Sequence, residues 1–288
     1  MEFISYLIKG VNLGSVYAII ALGYTMVYGI AKMLNFAHGD VIMIGGYVTY
    51  IAMSSLGLPA WIAVLLSVIV CTVLGILIEK VAYRPLREAA SSLAVLITAI
   101  GVSYLLQNVA LLIFGSAPKS VPALTFAGGR LTISGETIVT IASCIVVMTA
   151  LTLFINKTKA GQAMLAVSED KGAAKLMGIN VDATIALTFA IGSGLAAIAG
   201  VLLCSAYPTL NPYTGSMPGI KAFVAAVFGG IGSIPGALIG GLLLGIIEIL
   251  SKAYISSQLA DAIVFGVLIV VLIVKPTGIL GKKMQEKV

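Results

Sequence analysis

Charged side chains are scarce in this sequence. Only 17 lysines and arginines and 11 aspartates and glutamates occur among 288 residues, so 10% of the chain is charged. Soluble domains carry about 25% charged residues. A chain this poor in charge cannot cover a water-facing surface, which excludes an ordinary soluble domain. The net charge of +6 does not indicate nucleic-acid binding, because the basic residues are divided among short stretches between apolar runs.

Residues that carry catalysis or bind metals are also few. The three cysteines, Cys71, Cys144 and Cys204, lie in apolar runs without paired spacing, which favours buried thiols over a disulfide or a metal site. His38 is the only histidine, and a capping or interface hydrogen bond explains it more simply than a proton relay does. No Ser/His/Asp constellation and no Walker lysine pattern occurs, so we expect neither an enzyme nor an ATP site.

Long apolar runs dominate instead, with 60% hydrophobic residues. Several are long enough to cross the roughly 30 Å hydrocarbon core of a bilayer. We therefore predict an all-α fold, a polytopic transmembrane helical bundle of eight or nine apolar segments forming one domain over residues 1–288. The predicted spans are 11–30, 41–56, 61–81, 93–114, 137–155, 184–207 and 260–274. Residues 220–250 are either two thin spans or one re-entrant hairpin around a glycine-rich break.

Smaller features between the spans also give expectations. Gly10 and Gly14 are four residues apart and predict close helix packing. A short hairpin is predicted at 124–133. Glu79 is expected to reach the cytoplasmic membrane edge, with Glu248 near the opposite edge. No span carries the series of acids and histidines that a proton-coupled pump requires.

The stretch 157–182 is the longest run too polar to lie in lipid. Within it, Ser168 followed by two acids predicts a helix N-terminus, and Gly178 predicts its end about two and a half turns later. Ala173, Leu176 and Met177 would form one small apolar face. Because so short a helix is unstable alone in water, it must pack either on its own bundle or on a soluble partner. Placing this stretch in the cytoplasm also puts most basic residues inside, as the positive-inside rule requires.

Two polar or glycine-rich breaks interrupt apolar segments. The first contains Asn35, His38 and Gly39, and the second contains Gly229, Gly230, Gly232 and Ser233. Non-helical backbone inside a membrane survives only where protein or a water-filled cavity covers it. A pair of such breaks predicts a transport path lined by these residues. Glycines used only for helix packing remain the alternative.

The sequence resembles the permease subunits of bacterial branched-chain amino acid ABC importers, and in particular the shorter permease of the pair. The motifs that carry the resemblance are GSVYA at 14–18, ALGYT at 21–25, NFAHG at 35–39, ED at 169–170, AA at 173–174, LMGIN at 176–180, FAIGS at 189–193 and GGIGSIPGA at 229–237. Asp40 departs mildly from the glutamate expected after NFAHG.

The resemblance implies a multi-pass permease of the bacterial inner membrane that takes up leucine, isoleucine and valine. It implies a cytoplasmic coupling loop at 157–182 whose helix is gripped by two ATP-binding subunits. The residues that match the coupling-helix pattern, or lie beside it, are Glu169, Asp170, Ala173, Ala174, Met177 and Gly178. A second permease subunit and an external substrate-binding protein are the other implied partners. No cofactor is expected in this chain, since ATP and Mg²⁺ would bind the ATPase subunits.

Three alternatives remain open at this stage. Similar permeases serve importers of urea, short amides or other amino acids. An ion-coupled secondary transporter would act without ATPases, but it needs an ion-coupling site inside the membrane, which the sequence does not suggest. A membrane-bound enzyme would need a convergent catalytic cluster.

Overall fold

The chain is almost entirely helical in the computed structural model, which describes residues 2–87, 92–122 and 135–281. The helices are α1 (Glu2–Ala31), α2 (His38–Tyr50), α3 (Ala60–Ile78), α4 (Ser92–Phe114), α5 (Gly135–Lys157), α6 (Lys159–Glu169), α7 (Lys171–Leu176), α8 (Val181–Ala206), α9 (Ser216–Gly229), α10 (Ile234–Tyr254) and α11 (Ala260–Val274). Two-residue strands β1 (Lys119–Ser120) and β2 (Thr209–Leu210) pair antiparallel. The hairpin predicted at 124–133 lies outside the described residues.

Six of the described helices are long and apolar enough to cross a membrane, namely α1, α3, α4, α5, α8 and α10, and α9 and α11 are shorter apolar helices. The all-α prediction is confirmed. A π-helical turn extends α2 through Ser55, and another extends α3 beyond Ile78. Of the two apolar segments predicted within 220–250, the second is longer than a thin span, because α10 runs from Ile234 to Tyr254. Among the described helices, α9 with 14 residues and α11 with 15 are both shorter than the roughly 20 residues of a full crossing.

Glycines set the packing of α1 at the centre of the bundle. An ideal Cβ on Gly14 would lie 2.8 Å from the Cα of Leu242 on α10, and one on Gly10 would lie 2.9 Å from the Cα of Ile246. Real Cβ atoms do not approach backbone this closely, so both positions require glycine. The predicted close-packing pair is confirmed, and α10 is its partner. An ideal Cβ on Gly245 of α10 would likewise overlap the backbone of Gly14.

Replacing Gly245 with alanine is expected to destabilise the bundle by about 1–3 kcal/mol, because the new methyl group overlaps the Gly14 backbone. Gly266→Ala on α11 is the matched control, since nothing lies within 4 Å of its ideal Cβ. SDS-induced unfolding in mixed micelles measures both. Equal unfolding midpoints for the two variants would contradict the packing described here.

The helix α2 begins in the middle of the bundle. We call the end that carries α7 and the C-terminus of α1 the α7 end, and the opposite one the far end. His38, the first residue of α2, packs against Gly23 and Tyr24 of α1. Gly23 precedes the last residue of α1, Ala31, by eight positions, or about 12 Å of helix. The non-helical residues 32–37 therefore return into the bundle, which confirms that a polar break interrupts the helices there.

The helix α9 begins at the same level as α2. Gly215 and Gly219, at its start, lie against Gly39. The helix then runs to the α7 end, where Gly232 just beyond it lies near Gly29 of α1. Because α2 runs to the far end and α9 to the α7 end, two helix N-termini meet in the middle of the bundle.

Candidate functional site

The polar stretch at the α7 end folds as two short helices. Thr158 caps α6, accepting a hydrogen bond from the Gly161 N–H at 3.0 Å. Asp170 caps α7, accepting hydrogen bonds from the N–H groups of Gly172 at 2.8 Å and Ala173 at 3.0 Å. After Met177 the chain turns at Gly178 with φ of +83°, so the predicted stop is confirmed.

The predicted start of this helix is wrong. Ser168 and Glu169 are the last residues of α6, and the Ser168 hydroxyl donates back to the Leu165 carbonyl. A carboxylate at position 170 offers both neighbouring N–H groups a charged acceptor, which explains why it caps the helix and the serine does not. Of the predicted coupling residues, Glu169 thus belongs to α6 and Asp170 to the junction, whereas Ala173 and Ala174 lie on α7 itself.

Most of the apolar face of α7 has no partner within the described chain. The side chains of Leu176 and Met177 are 90% and 82% exposed, whereas Ala174 is buried against the bundle. Lys171 anchors the helix by donating to the carbonyl of Ala31, the last residue of α1, at 2.9 Å. Burial lowers the pKa of Lys171, and nearby Arg87 and Lys32 lower it further.

A network of charges ties α3 to α8 beside α7. Glu79 is fully buried and accepts from Arg84 at 3.2 Å and also from Arg87. Arg87 also donates to Asp182 of α8 at 2.6 Å. Burial lowers the pKa of Arg87, and Asp182 opposes that shift. Glu79 is buried and does not extend to the surface, because the two arginines compensate its charge inside the bundle. Its level relative to the membrane edge stays a prediction.

The two predicted breaks lie at different levels. Asn35 is buried and accepts from the Tyr83 hydroxyl at 3.0 Å, and His38 and Gly39 follow at mid-bundle. Gly229 and Gly230 instead lie at the α7 end, where the chain after α11 donates to the carbonyls of Phe228 and Gly229. Gly232 lies in the same turn with φ of +92°. The Ser233 hydroxyl oxygen caps α10 by accepting a hydrogen bond from the Gly236 N–H at 3.2 Å.

A closed crevice nevertheless connects the two breaks. Asn35 of the first break and Ile231 of the second line it, together with Tyr24 and Phe223. It has no room for a water molecule.

A cavity of about 440 Å³ lies at mid-bundle between α1, α2, α4 and α9. It is open on one side, where Ile100, Tyr104, Tyr213 and Ile220 of its lining are exposed. Its lining includes Tyr24, Phe36, Asp40, Ser103, Gln107 and Ser216. Towards the α7 end, three aromatic rings separate the cavity from the closed crevice. The centroid of the Phe223 ring lies 5.7 Å from the centroid of the Tyr24 ring and 5.8 Å from that of the Phe36 ring.

A second group of charges lies between α1, α9 and α10. Glu248 is 1% exposed and accepts from Lys221 at 2.8 Å, from Lys252 at 2.6 Å and from the Tyr17 hydroxyl at 2.8 Å. Lys221 also pairs with Asp261 at 2.6 Å. Glu248 is therefore buried among its partners, and its expected level near a membrane edge stays a prediction. Lys221 is the basic partner that sequence analysis did not identify.

Comparisons with known proteins agree with these features. The sequence profile described as "branched-chain amino acid transport system / permease component" matches residues 6–272. The chain is 48% identical over 305 residues to the high-affinity branched-chain amino acid transport system permease protein LivH of Salmonella typhimurium, covering 100% of this chain and 98% of that protein. The corresponding BraD of Pseudomonas aeruginosa is 46% identical over 303 residues, with the same coverage of both chains.

The fold also has a counterpart among solved structures. PsaBC from Streptococcus pneumoniae, in complex with Fab, superposes with a TM-score of 0.51 at 15% identity and 96% coverage of both chains. At that identity the likeness concerns the fold alone. The match of the family profile over nearly the whole chain, together with relatives close to half identical, shows that this multi-pass membrane protein belongs to the permease-component family of branched-chain amino acid transport systems.

Proposed function

We propose that this chain is the permease subunit of an ATP-driven importer that takes up leucine, isoleucine and valine. The observation that carries the proposal is the identity of 48% to LivH and 46% to BraD, over alignments that cover 100% of this chain. Residues 1–288 form one transmembrane permease domain, and residues 157–182 form its cytoplasmic coupling loop.

The exposed end of α7 supports docking of a soluble ATPase. Leu176 and Met177 project two large apolar side chains from the surface, while the Asp170 cap and the Gly178 turn fix the helix that carries them. Exposed apolar groups on a rigid support are typical anchors of protein interfaces. Two ATPase subunits grip this helix and the equivalent one on a second permease subunit, and they alone bind ATP and Mg²⁺.

The contacts of α7 provide a route for its motion into the bundle. Lys171 holds the C-terminus of α1, and α1 leads directly into the non-helical residues 32–37 and then to α2. A displacement of α7 by the closing ATPases therefore pulls on the segment that carries Asn35, His38 and Gly39. The bundle alternates between outward and inward openings through this segment.

The substrate path begins at the mid-bundle cavity, to which an external binding protein delivers the amino acid from the far end. It continues past the three aromatic rings and along the crevice at Asn35. It leaves beside Gly229, Gly230, Gly232 and Ser233. These glycines lie where α9 ends, so close backbone contacts can change without displacing side chains.

The assembled importer, reconstituted with its ATPases, second permease and binding protein, tests the substrate assignment. We expect excess leucine, isoleucine and valine each to suppress uptake of radiolabelled leucine, while urea and acetamide leave it unchanged. Suppression by urea or acetamide, or the absence of leucine uptake, would instead assign the chain to an importer of another solute.

A further inference from the structure

Asp40 is a buried carboxylate in the lining of the mid-bundle cavity. Its residue is 2% exposed, and no lysine, arginine or histidine within residues 2–87, 92–122 and 135–281 forms an ion pair with it. A buried charge without a counter-charge costs several kcal/mol. Two other acids among the described residues are buried, Glu79 and Glu248, and each has basic partners. Asp40 therefore differs from them in lacking a cation.

Hydrogen bonds hold the Asp40 carboxylate in place without neutralising it. The Gln107 side-chain amide donates to its Oδ1 at 2.8 Å. The same amide nitrogen lies 3.3 Å from the hydroxyl oxygens of Ser103 and Ser216. A carboxylate accepts about four hydrogen bonds, so Asp40 keeps capacity for a further donor.

Partial positive charge is available near Asp40 from the N-terminal ends of two helices. The N-termini of α2 and α9 meet at this cavity, since Gly39 and Ser216 both line it and Gly39 packs on Gly215. The partial positive charge at helix N-termini favours carboxylate groups. The cavity thus combines the Asp40 carboxylate, which lies in the first turn of α2, with the positive end of the α9 dipole.

Apolar side chains complete the lining. Phe36, Ile100 and Ile220 come from three different segments of the chain and face the same space. The volume of about 440 Å³ lies within the roughly 300–1,000 Å³ range of small-molecule sites. A zwitterion with a short apolar side chain matches all three parts of this lining.

We propose that this cavity is an amino-acid binding site inside the permease, in which Asp40 binds the α-ammonium group of the substrate. Gln107 positions the Asp40 carboxylate, the positive end of the α9 dipole attracts the α-carboxylate, and the apolar lining receives the side chain. This proposal rests on the proposed function and adds that the permease itself recognises the amino acid, in addition to the external binding protein.

Binding of radiolabelled leucine to the purified importer, without the external binding protein, tests the site. Two competitors separate the charges: 4-methylpentanoate is leucine without its ammonium group, and 3-methylbutylamine is leucine without its carboxylate. We expect Asp40→Asn to weaken leucine binding roughly tenfold or more, since a charge-assisted hydrogen bond is lost. It should also abolish the preference of the site for leucine over 4-methylpentanoate. Asp40→Glu should keep that preference.

The control is Glu136→Gln, which removes an exposed acid at the start of α5 and should leave binding unchanged. Size-exclusion chromatography of each assembled variant checks folding. Leucine binding by Asp40→Asn with wild-type affinity and preference would overturn the proposal, as would an importer that takes up leucine but binds none without the binding protein. Failure of the wild-type importer to take up leucine would instead refute the proposed function.

Discussion

Replacing Leu176 with aspartate is expected to lower ATP-driven leucine uptake roughly 30-fold or more, which is the cost of losing a central interface anchor. Leu176 is 90% exposed and contributes little to the packing of its own chain, so the subunit should still fold. The charged side chain would be desolvated without a partner when an ATPase closes over α7. Uptake by proteoliposomes and co-purification of the ATPases measure the effect.

Ile255→Asp is the matched control, because Ile255 is also exposed and lies beyond the end of α10, at the far end. It should leave ATPase co-purification unchanged, whereas Leu176→Asp should abolish it. Leu176→Ala should give an intermediate loss. If Leu176→Asp retains the ATPases and transports at the wild-type rate, α7 is not the docking helix.

The second large effect is expected at Glu248. Replacing it with leucine removes three hydrogen bonds at once and leaves the Tyr17 hydroxyl and the Lys221 ammonium without their buried acceptor. Removing one side of a buried ion pair costs about 3–5 kcal/mol. We expect a loss of folding free energy of that size, measured by SDS-induced unfolding in mixed micelles.

The double variant Lys221→Met, Glu248→Leu separates this cause from a simple packing defect. Because the buried charge is removed together with its partner, the double variant should be more stable than Glu248→Leu alone. Glu136→Leu, at an exposed acid, should change stability by less than about 0.5 kcal/mol. A double variant less stable than the single one would contradict this account.

The sequence predicts the helices of this bundle well because apolar runs are a local signal. The last predicted span, 260–274, has the bounds of α11, and the spacing of Gly10 and Gly14 indicates close packing without identifying the partner helix. Gly178 as the helix stop is equally local, since it depends on the backbone freedom of one residue.

Features that depend on distant residues could not be predicted in this way. Lys221 and Glu248 are 27 positions apart, and nothing in either segment indicates that they pair. The level at which α9 begins follows from contacts between Gly39 and Gly215, so the sequence could not place the two breaks relative to each other. The cap of α7 was missed because Ser168 and Asp170 are both good N-cap residues.

The cavity shows the same limit. Asp40 and Gln107 were both visible in the sequence, but their 67-residue separation concealed that they form one hydrogen-bonded site. A buried acid next to a predicted break, without a basic residue nearby in sequence, is the signal that could have identified it. Gln107, which interrupts a mostly apolar span together with Asn108, is the second such signal.

Leucine uptake with ATP trapped inside proteoliposomes tests the central claim most directly. The account predicts accumulation only when both permeases, the ATPases, ATP and Mg²⁺ are present. It predicts no accumulation when a non-hydrolysable nucleotide replaces ATP or when the ATPases are omitted. Accumulation by the permease alone, driven by an ion gradient and abolished by an ionophore, would contradict the account and identify a secondary transporter.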